Sequence, residues 1–265
     1  MKIKIIGLVG SPRKNGNTNI LVEACLEAAR ELKDVETECI QMAYYKYRGG
    51  CTSCHKCFRQ PGQLCHAYGD DHNKILEKVL TGDGFIFGSP VYVAGVTAQM
   101  KMFIDRLECV NRVVGAPLRN KPFGAVVSGG ARHGGQELAL LDLIHAFMNR
   151  DMIPIATTVR FNPEGMGGFH GVAGTHIRHL PEGVGPTLEV LDSKVAVKED
   201  KMALGCAHNL GLRVAEMAKV IKAGFTVVNP ENEETKWPVG VLTEKIAAGN
   251  YEKYDMAQKA MSGKG

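Results

Sequence analysis

Residues 2–18 read Lys2-Ile3-Lys4-Ile5-Ile6-Gly7-Leu8-Val9, then Gly10-Ser11-Pro12-Arg13-Lys14-Asn15-Gly16-Asn17-Thr18. The first eight form a short run rich in β-branched residues with a turn directly after it, the pattern of a buried strand in a parallel sheet. From Asn17 to Leu32 the residues Ile20, Leu21, Ala24, Cys25, Ala28 and Leu32 recur at helical spacing. The polar loop between them therefore runs straight into a helix N-terminus, where unpaired backbone N–H groups and a partial positive charge attract phosphate. Ser11, Asn15, Asn17 and Thr18 add short hydroxyl and amide donors, Arg13 adds charge, and Gly16 lets the backbone approach closely. No Gly-Lys-[Ser/Thr] follows at Walker spacing, which argues against ATP or GTP hydrolysis, and the loop is not Gly-x-Gly-x-x-Gly. Taken alone, the segment also fits an ordinary strand-to-helix turn with an Asn or Thr cap.

Outward from this unit the alternation continues. Val35 to Gln41 reads as a second strand. Met42 to about Asp70 has no period, and a connection several times longer than the usual ~2–6 residues is usually functional. His72 to Leu80 reads as helix, Gly84 to Gly88 as strand, Val96 to Val110 as helix and Pro122 to Val127 as strand. Gln136 to Asn149 reads as helix, Met152 to Val159 as strand and Lys201 to Ala223 as a long final helix. Five strands alternating with helices predict an α/β fold, a doubly wound five-stranded parallel sheet in the order 2-1-3-4-5. The expected organisation is a domain over 1–224, with a cysteine-cluster loop at 44–70 and a Gly-rich insertion at 160–199. Residues 225–265 form a polar C-terminal extension, with no internal repeat in the chain.

The 265 residues are 45% hydrophobic and 23% charged, the balance of a soluble globular protein. The net charge of +4 makes no case for nucleic acid or an anionic membrane as partner. The first apolar run is too short for a secretory signal and no run is long enough to span a bilayer, so a cytoplasmic location is expected.

In an open α/β sheet, ligands bind outside the carboxyl ends of the strands, where the strand order reverses. The third strand ends in Gly88-Ser89-Pro90-Val91-Tyr92-Val93-Ala94-Gly95-Val96-Thr97, and the fourth in Ser128-Gly129-Gly130-Ala131-Arg132-His133-Gly134-Gly135-Gln136. Both loops offer backbone donors beside an aromatic or apolar face, which suits a flat heteroaromatic ring with polar edges. Tyr92 alone would pass for a core aromatic and Arg132 for a solvated charge. Three loops on one edge weigh against those readings.

The segments GSPRKNGNT, GSPVYVAGVTAQMKMFIDR and SGGARHGGQE resemble the NADPH-dependent FMN reductase and flavodoxin-like superfamily over roughly residues 1–160. The resemblance implies FMN, its phosphate held by Ser11, Arg13, Asn15, Asn17 and Thr18. The isoalloxazine ring would lie against Pro90, Val91, Tyr92 and Gly95, with Ser128, Gly129, Gly130, Arg132 and His133 on another edge. Val93 stands where a bulky aromatic is frequent in the family, implying a ring face more open or covered by another subunit.

Four of the eight cysteines form Cys51-x2-Cys54-x2-Cys57-x7-Cys65. Three thiolates in seven residues match the compact spacing of iron–sulfur ligation, and Gly49, Gly50 and Gly62 supply bends. His66 rather than Pro follows the last cysteine, so this is no simple ferredoxin. Structural zinc, which more often uses two separated C-x2-C knuckles, a redox disulfide and unrelated buried thiols remain alternatives. Cys25, Cys39, Cys109 and Cys206 read as small buried hydrophobes. Asp70-Asp71-His72 reads as an acidic cap opening the next helix, rather than as metal ligands.

The run also resembles the iron–sulfur flavoproteins, a branch of the same superfamily with such a motif after the second strand. That resemblance implies a 4Fe-4S cluster beside FMN. It also implies a homodimer or homotetramer in which the cluster of one protomer nears the flavin of another. The expected function is electron transfer between a one-electron carrier such as ferredoxin and a small acceptor, with a ferredoxin-like or nicotinamide donor. Two rivals stay open: an NAD(P)H-dependent FMN or quinone reductase without a cluster, and a redox-sensing binding module.

Overall fold

The computed structural model describes residues 1–59, 64–113, 117–131, 133–157, 165, 168–175 and 196–228. Strand β1 (Ile3–Val9) is almost wholly buried, as its unbroken apolar run requires, and leads through the polar loop into α1 (Asn17–Ala29). Next come β2 (Val35–Gln41), a short helix α2 (Lys56–Arg59) inside the cysteine loop, and α3 (His72–Leu80). Strand β3 (Gly84–Pro90) is followed by α4 (Ala98–Arg106), α5 (Glu108–Val113) and β4 (Pro122–Gly129). The chain then forms α6 (Gln136–Met148), β5 (Ile153–Pro154), β6 (Val172–Thr175) and the long α7 (Lys201–Val228).

The sheet runs β2-β1-β3-β4-β5 with every pair parallel, the expected order. One sheet face buries Leu8, Phe85, Phe87 and Phe123 against α3, α4 and α6, where Phe147 of α6 stacks on Phe87. The other buries Ile5, Ile86 and Val126 against Leu26 of α1 and Leu210 and Val214 of α7. Each such side chain contributes about 1.5–3 kcal/mol on burial, so the sheet is a rigid platform for the loops at its edge.

The chain departs from the sequence reading at several places. The helix expected over Val96–Val110 is two helices. Around Leu107 the backbone makes i→i−3 bonds (Leu107 N–H to the Ile104 carbonyl, Val110 N–H to the Leu107 carbonyl), and the Arg106 carbonyl accepts from Cys109 Sγ. The fifth strand expected over Met152–Val159 is shortened to Ile153–Pro154, which pairs with Pro122–Phe123, while residues 158–159 lie outside the described ones. The Gly-rich insertion then supplies β6, which pairs in parallel with Val126–Gly129, the upper half of β4. Part of the insertion is therefore sheet, and it reaches the carboxyl edge. The final helix runs to Val228 rather than Ala223, and 229–265, nearly all of the polar tail, lies outside the described residues.

Candidate functional site

The loop after β1 enters α1 through Gly16, in extended backbone and with no side chain bonded across the first N–H groups of the helix. That leaves the donor set a phosphate uses. Ser11, Asn17 and Thr18 are buried, whereas Arg13 and Asn15 are exposed. Ser11 Oγ accepts from the Arg13 N–H (3.1 Å), rounding the loop, and Asn17 Oδ1 accepts from the Val197 N–H (3.0 Å). Asn15 sits at φ 52°, a left-handed conformation that Asn tolerates better than most residues. It is locked by a reciprocal pair with Gln41: Asn15 N–H to Oε1 and Nε2 to Asn15 Oδ1, both 2.9 Å. Lys14 Nζ lies 4.5 Å from the ring centre of Tyr44, so the short turn that follows β2 also buttresses the loop.

The other two loops are tied to this one. Thr97 caps α4 by accepting from Met100 N–H (3.2 Å), while its hydroxyl donates to the Gly10 carbonyl and its N–H to Ser89 Oγ (3.0 Å). Thr18 Oγ1 and Ser128 Oγ are 2.7 Å apart, both buried, and Val91 N–H donates to the Ser128 carbonyl (2.8 Å). Tyr92 and Gly95 exchange backbone bonds of 2.9 and 3.1 Å around a tight tip. At that tip Val93 (φ 48°) and Ala94 (φ 63°) are left-handed, strained for a β-branched residue. Val93 is fully exposed and Tyr92 is 45% exposed. Gly135, at φ +100°, packs on Ala94, where an added Cβ would come within 2.5 Å of the Ala94 backbone. Gly130 and His133 are exposed at the third loop, and Gln136 knots it by accepting from Gly134 N–H (2.8 Å) and donating to the Ala131 carbonyl. Arg132, the remaining expected contact, lies outside the described residues.

Cys51, Cys54, Cys57 and Cys65 all line one cavity of about 290 Å³, together with His66, Arg106 and Cys109. Cys51 and Cys54 are exposed; Cys57 and Cys65 are half-buried. No disulfide links them. Among the described residues no three His, Cys, Asp or Glu side chains converge tightly enough to hold a single metal ion. Burial and the neighbouring Cys65, Cys51 and Cys54 raise the Cys57 pKa, while the Lys56 backbone N–H lowers that of Cys54. Cys109, a fifth lining cysteine, donates to the Arg106 carbonyl (3.1 Å), and its pKa is pushed up to about 12 by burial first and by Cys65 and Cys57 next. It is a neutral wall of the cavity, as the expectation of a buried hydrophobe has it.

The mouth of the cysteine loop is closed by polar contacts. Arg106 and Asp70 form a bidentate pair (2.6 and 3.0 Å) with side chains 0% and 1% exposed. Asp70 also accepts from the Arg48 and His72 N–H groups (3.1 and 3.3 Å), joining the loop's entry to its exit. The expected cap is thus shared. Asp70 takes the His72 N–H, while Asp71, at the cap position, makes no side-chain cap bond and accepts instead from Lys46 N–H (2.8 Å). Buried His72 packs its ring against Tyr47 and Phe103, with Nδ1 2.6 Å from the Tyr47 hydroxyl, and burial pushes its pKa down to about 3.

Residues 3–164 match the family model for NADPH-dependent FMN reductase. Over 223 residues the chain is 36% identical to an iron-sulfur flavoprotein of Methanocaldococcus jannaschii, covering 83% of this chain and 100% of that one. The chain belongs to the iron–sulfur flavoprotein branch of the NADPH-dependent FMN reductase family. An iron-sulfur flavoprotein of Archaeoglobus fulgidus is 31% identical over 220 residues, 83% of this chain and 98% of that one. Among solved structures, a flavone reductase (TM-score 0.53, 19% identity, 83% of this chain and 64% of that one) shares the fold. So does RosB (TM-score 0.53, 13% identity, 92% and 87%). Membership makes the chain a flavin-dependent oxidoreductase that works by flavin-based electron transfer.

Set against the sequence reading of this flavoprotein, the structure brings the four cysteines to one cavity and the three loops to one edge. Gln41, Tyr44 and Arg106 shape the site without having been expected there, and Thr97 and Asp70, expected only as a loop residue and part of a helix cap, do more than that. Gln41 and Tyr44 had no motif to mark them. Arg106 did carry a signal, because it stands three and six residues after Phe103 and Met100, on the stripe of α4 that is buried.

Proposed function

We propose that this flavoprotein binds FMN at the three knotted loops and a 4Fe-4S cluster on Cys51, Cys54, Cys57 and Cys65, passing electrons between a ferredoxin-like one-electron carrier and a small acceptor. The observation that carries the reading is the gathering of four thiols from fifteen residues of chain around one cavity of about 290 Å³. A cubane spreads its thiolates over the corners of an iron–sulfide body, so four cysteines lining one cavity without converging on a single point fit it better than a single tetrahedral ion. The uncapped start of α1, with buried Ser11 and Thr18, fits a phosphate monoester.

On this reading Ser11, Arg13, Asn15, Asn17, Thr18 and the first N–H groups of α1 hold the phosphate. Pro90, Val91, Tyr92 and Gly95 support the ring, and Ser128, Gly129, Gly130, Arg132 and His133 face another edge. FMN supplies one- or two-electron chemistry and the cluster one-electron steps, which lets a protein join carriers of the two kinds. The chain's own part is orientation. The bonds of Thr97 to Gly10 and of Thr18 to Ser128 fix the loops, and α4 runs from that edge toward the cluster cavity, nine residues or about 14 Å at ~1.5 Å per residue. The reading includes a homodimer or homotetramer in the cytoplasm, with the exposed Tyr92–Val93 tip available to a second protomer.

Anaerobic mixing with reduced ferredoxin tests it. Cluster and flavin absorbance should bleach together. Rapid bleaching of the flavin by NADPH in protein that holds no iron is the result that replaces it with nicotinamide-dependent reduction of a flavin or quinone.

A further inference from the structure

The geometry points to Arg106 as a positioning residue for the iron–sulfur centre, one that fixes the Cys65 thiolate from behind and raises the centre's reduction potential. The inference rests on the cluster reading above. Cys65 stands apart from the other three cysteines. Those come from one heptapeptide, whereas Cys65 returns after a seven-residue gap. A long gap makes the position of the fourth sulfur the least determined by local chain geometry, and this is the sulfur that receives a charged donor: Arg106 Nε lies 3.2 Å from Cys65 Sγ. Among the described residues Cys51 Sγ, by contrast, accepts the neutral N–H of Ser53, at 3.4 Å.

The donor is itself immobile. The Arg106 guanidinium is fully buried, its two terminal nitrogens take both Asp70 oxygens, and the rings of Tyr47 and Tyr68 lie 5.6 and 5.2 Å from its centre. A planar group held at one end by a carboxylate and flanked by two rings aims its Nε–H along one line. A lysine, a point charge with no fork, cannot be held in this way. The same Asp70 closes the neck of the loop through the Arg48 and His72 N–H groups. Loop closure and sulfur placement are therefore one device. Asp70 cancels the arginine's formal charge, but the N–H dipole still points at sulfur. A hydrogen bond to a ligating sulfur withdraws electron density and favours the reduced, more negative state, so it raises the potential. None of the residues in this device was placed in the flavin-side loops.

The test uses the full chain purified without oxygen as wild type, Arg106→Gln and Arg106→Lys. The readouts are flavin content, iron and sulfide per flavin, and the cluster midpoint potential followed by electron paramagnetic resonance. The expected result for Arg106→Gln is flavin at the wild-type level, iron lost in part or whole, and any remaining cluster shifted to lower potential. Arg106→Lys, which restores the charge without the fork, should fall between the two in iron content and potential. Wild-type iron, sulfide and potential in Arg106→Gln would overturn the role of Arg106 and leave the cluster reading standing. Loss of flavin together with iron in both variants would make Arg106 a general prop of the fold and would equally overturn it. Wild type devoid of iron and sulfide would remove the cluster reading, and this inference with it.

Discussion

The phosphate loop and the cysteine loop leave the same edge of the sheet, from the neighbouring strands β1 and β2, yet they are held in different ways. The first is seven residues between Val9 and Asn17, and its Ser11 and Gly16 are buried. Its bonds run to the strand ends and loops beside it, at Gly88, Thr97 and Gln41. The second spans about thirty residues, and its cysteine segment from Cys51 to Lys56 is exposed. Among its described residues it is held at its neck by the buried Asp70–Arg106 pair and packs on the core through Leu64, Tyr45, Tyr47, Cys57 and Cys65. A loop moulded by the sheet presents its donors before a ligand arrives. A loop held chiefly at its neck, with its cysteine segment exposed, needs what it binds to complete it. The flavin side should therefore survive injury to the cysteine side, and injury at the neck should be felt in the cysteine loop first.

The largest effect expected from this contrast is at the thiols. Cys57→Ala should abolish the broad iron–sulfur absorbance while the flavin spectrum and flavin content stay at the wild-type level. Parallel loss of both in the visible spectrum would mean the two loops are one cooperative unit. Next is the neck. Asp70→Asn leaves Arg106 buried without its counter-charge, and breaking a buried pair in this way costs on the order of 3–5 kcal/mol. The cost should appear locally: limited proteolysis should nick residues 44–70 well before the sheet unfolds. Cleavage that begins elsewhere would contradict the idea that Asp70 serves the loop.

Acid should also act through the neck. His72 titrates near 6.5 when unfolded and is pushed down to about 3 by burial, so the folded form excludes a proton that the unfolded chain binds. Its contribution is complete above pH 6.5 and is lost as pH falls toward 3, a few kcal/mol across that window. In denaturant titrations His72→Gln should be less stable than wild type at pH 7 and flatter with pH below 6.5. A variant with the wild-type acid slope would remove His72 from the account. The smallest effect belongs to the moulded loop. Thr18→Val orphans the buried Ser128 hydroxyl, a loss of about 1–2 kcal/mol, and should weaken FMN binding by roughly 5- to 30-fold in fluorescence titrations with cluster content unchanged.

The same contrast explains what could be read from the sequence. The sheet order followed from apolar runs such as Ile3–Val9 and Gly84–Gly88 punctuated by turns, because burial on both faces leaves a contiguous pattern. The cysteines announced themselves by spacing. What stayed hidden was long-range polar pairing. Nothing local ties Arg106 to Asp70, 36 residues earlier, or Asn15 to Gln41, 26 residues later, because such partners are chosen by the fold. The split of the fifth strand position between Ile153–Pro154 and Val172–Thr175 was hidden for a related reason. Each piece is too short for periodicity to show, and their adjacency exists only along the edge of β4.

Composition analysis of the chain purified without oxygen bears most directly on the central claim that four thiols beside the flavin loops hold an iron–sulfur cluster. About four iron atoms and four acid-labile sulfides per flavin are expected, with a brown colour that bleaches on reduction. Protein that is yellow from flavin alone, with zinc or four free thiols in the cysteine loop, would contradict it.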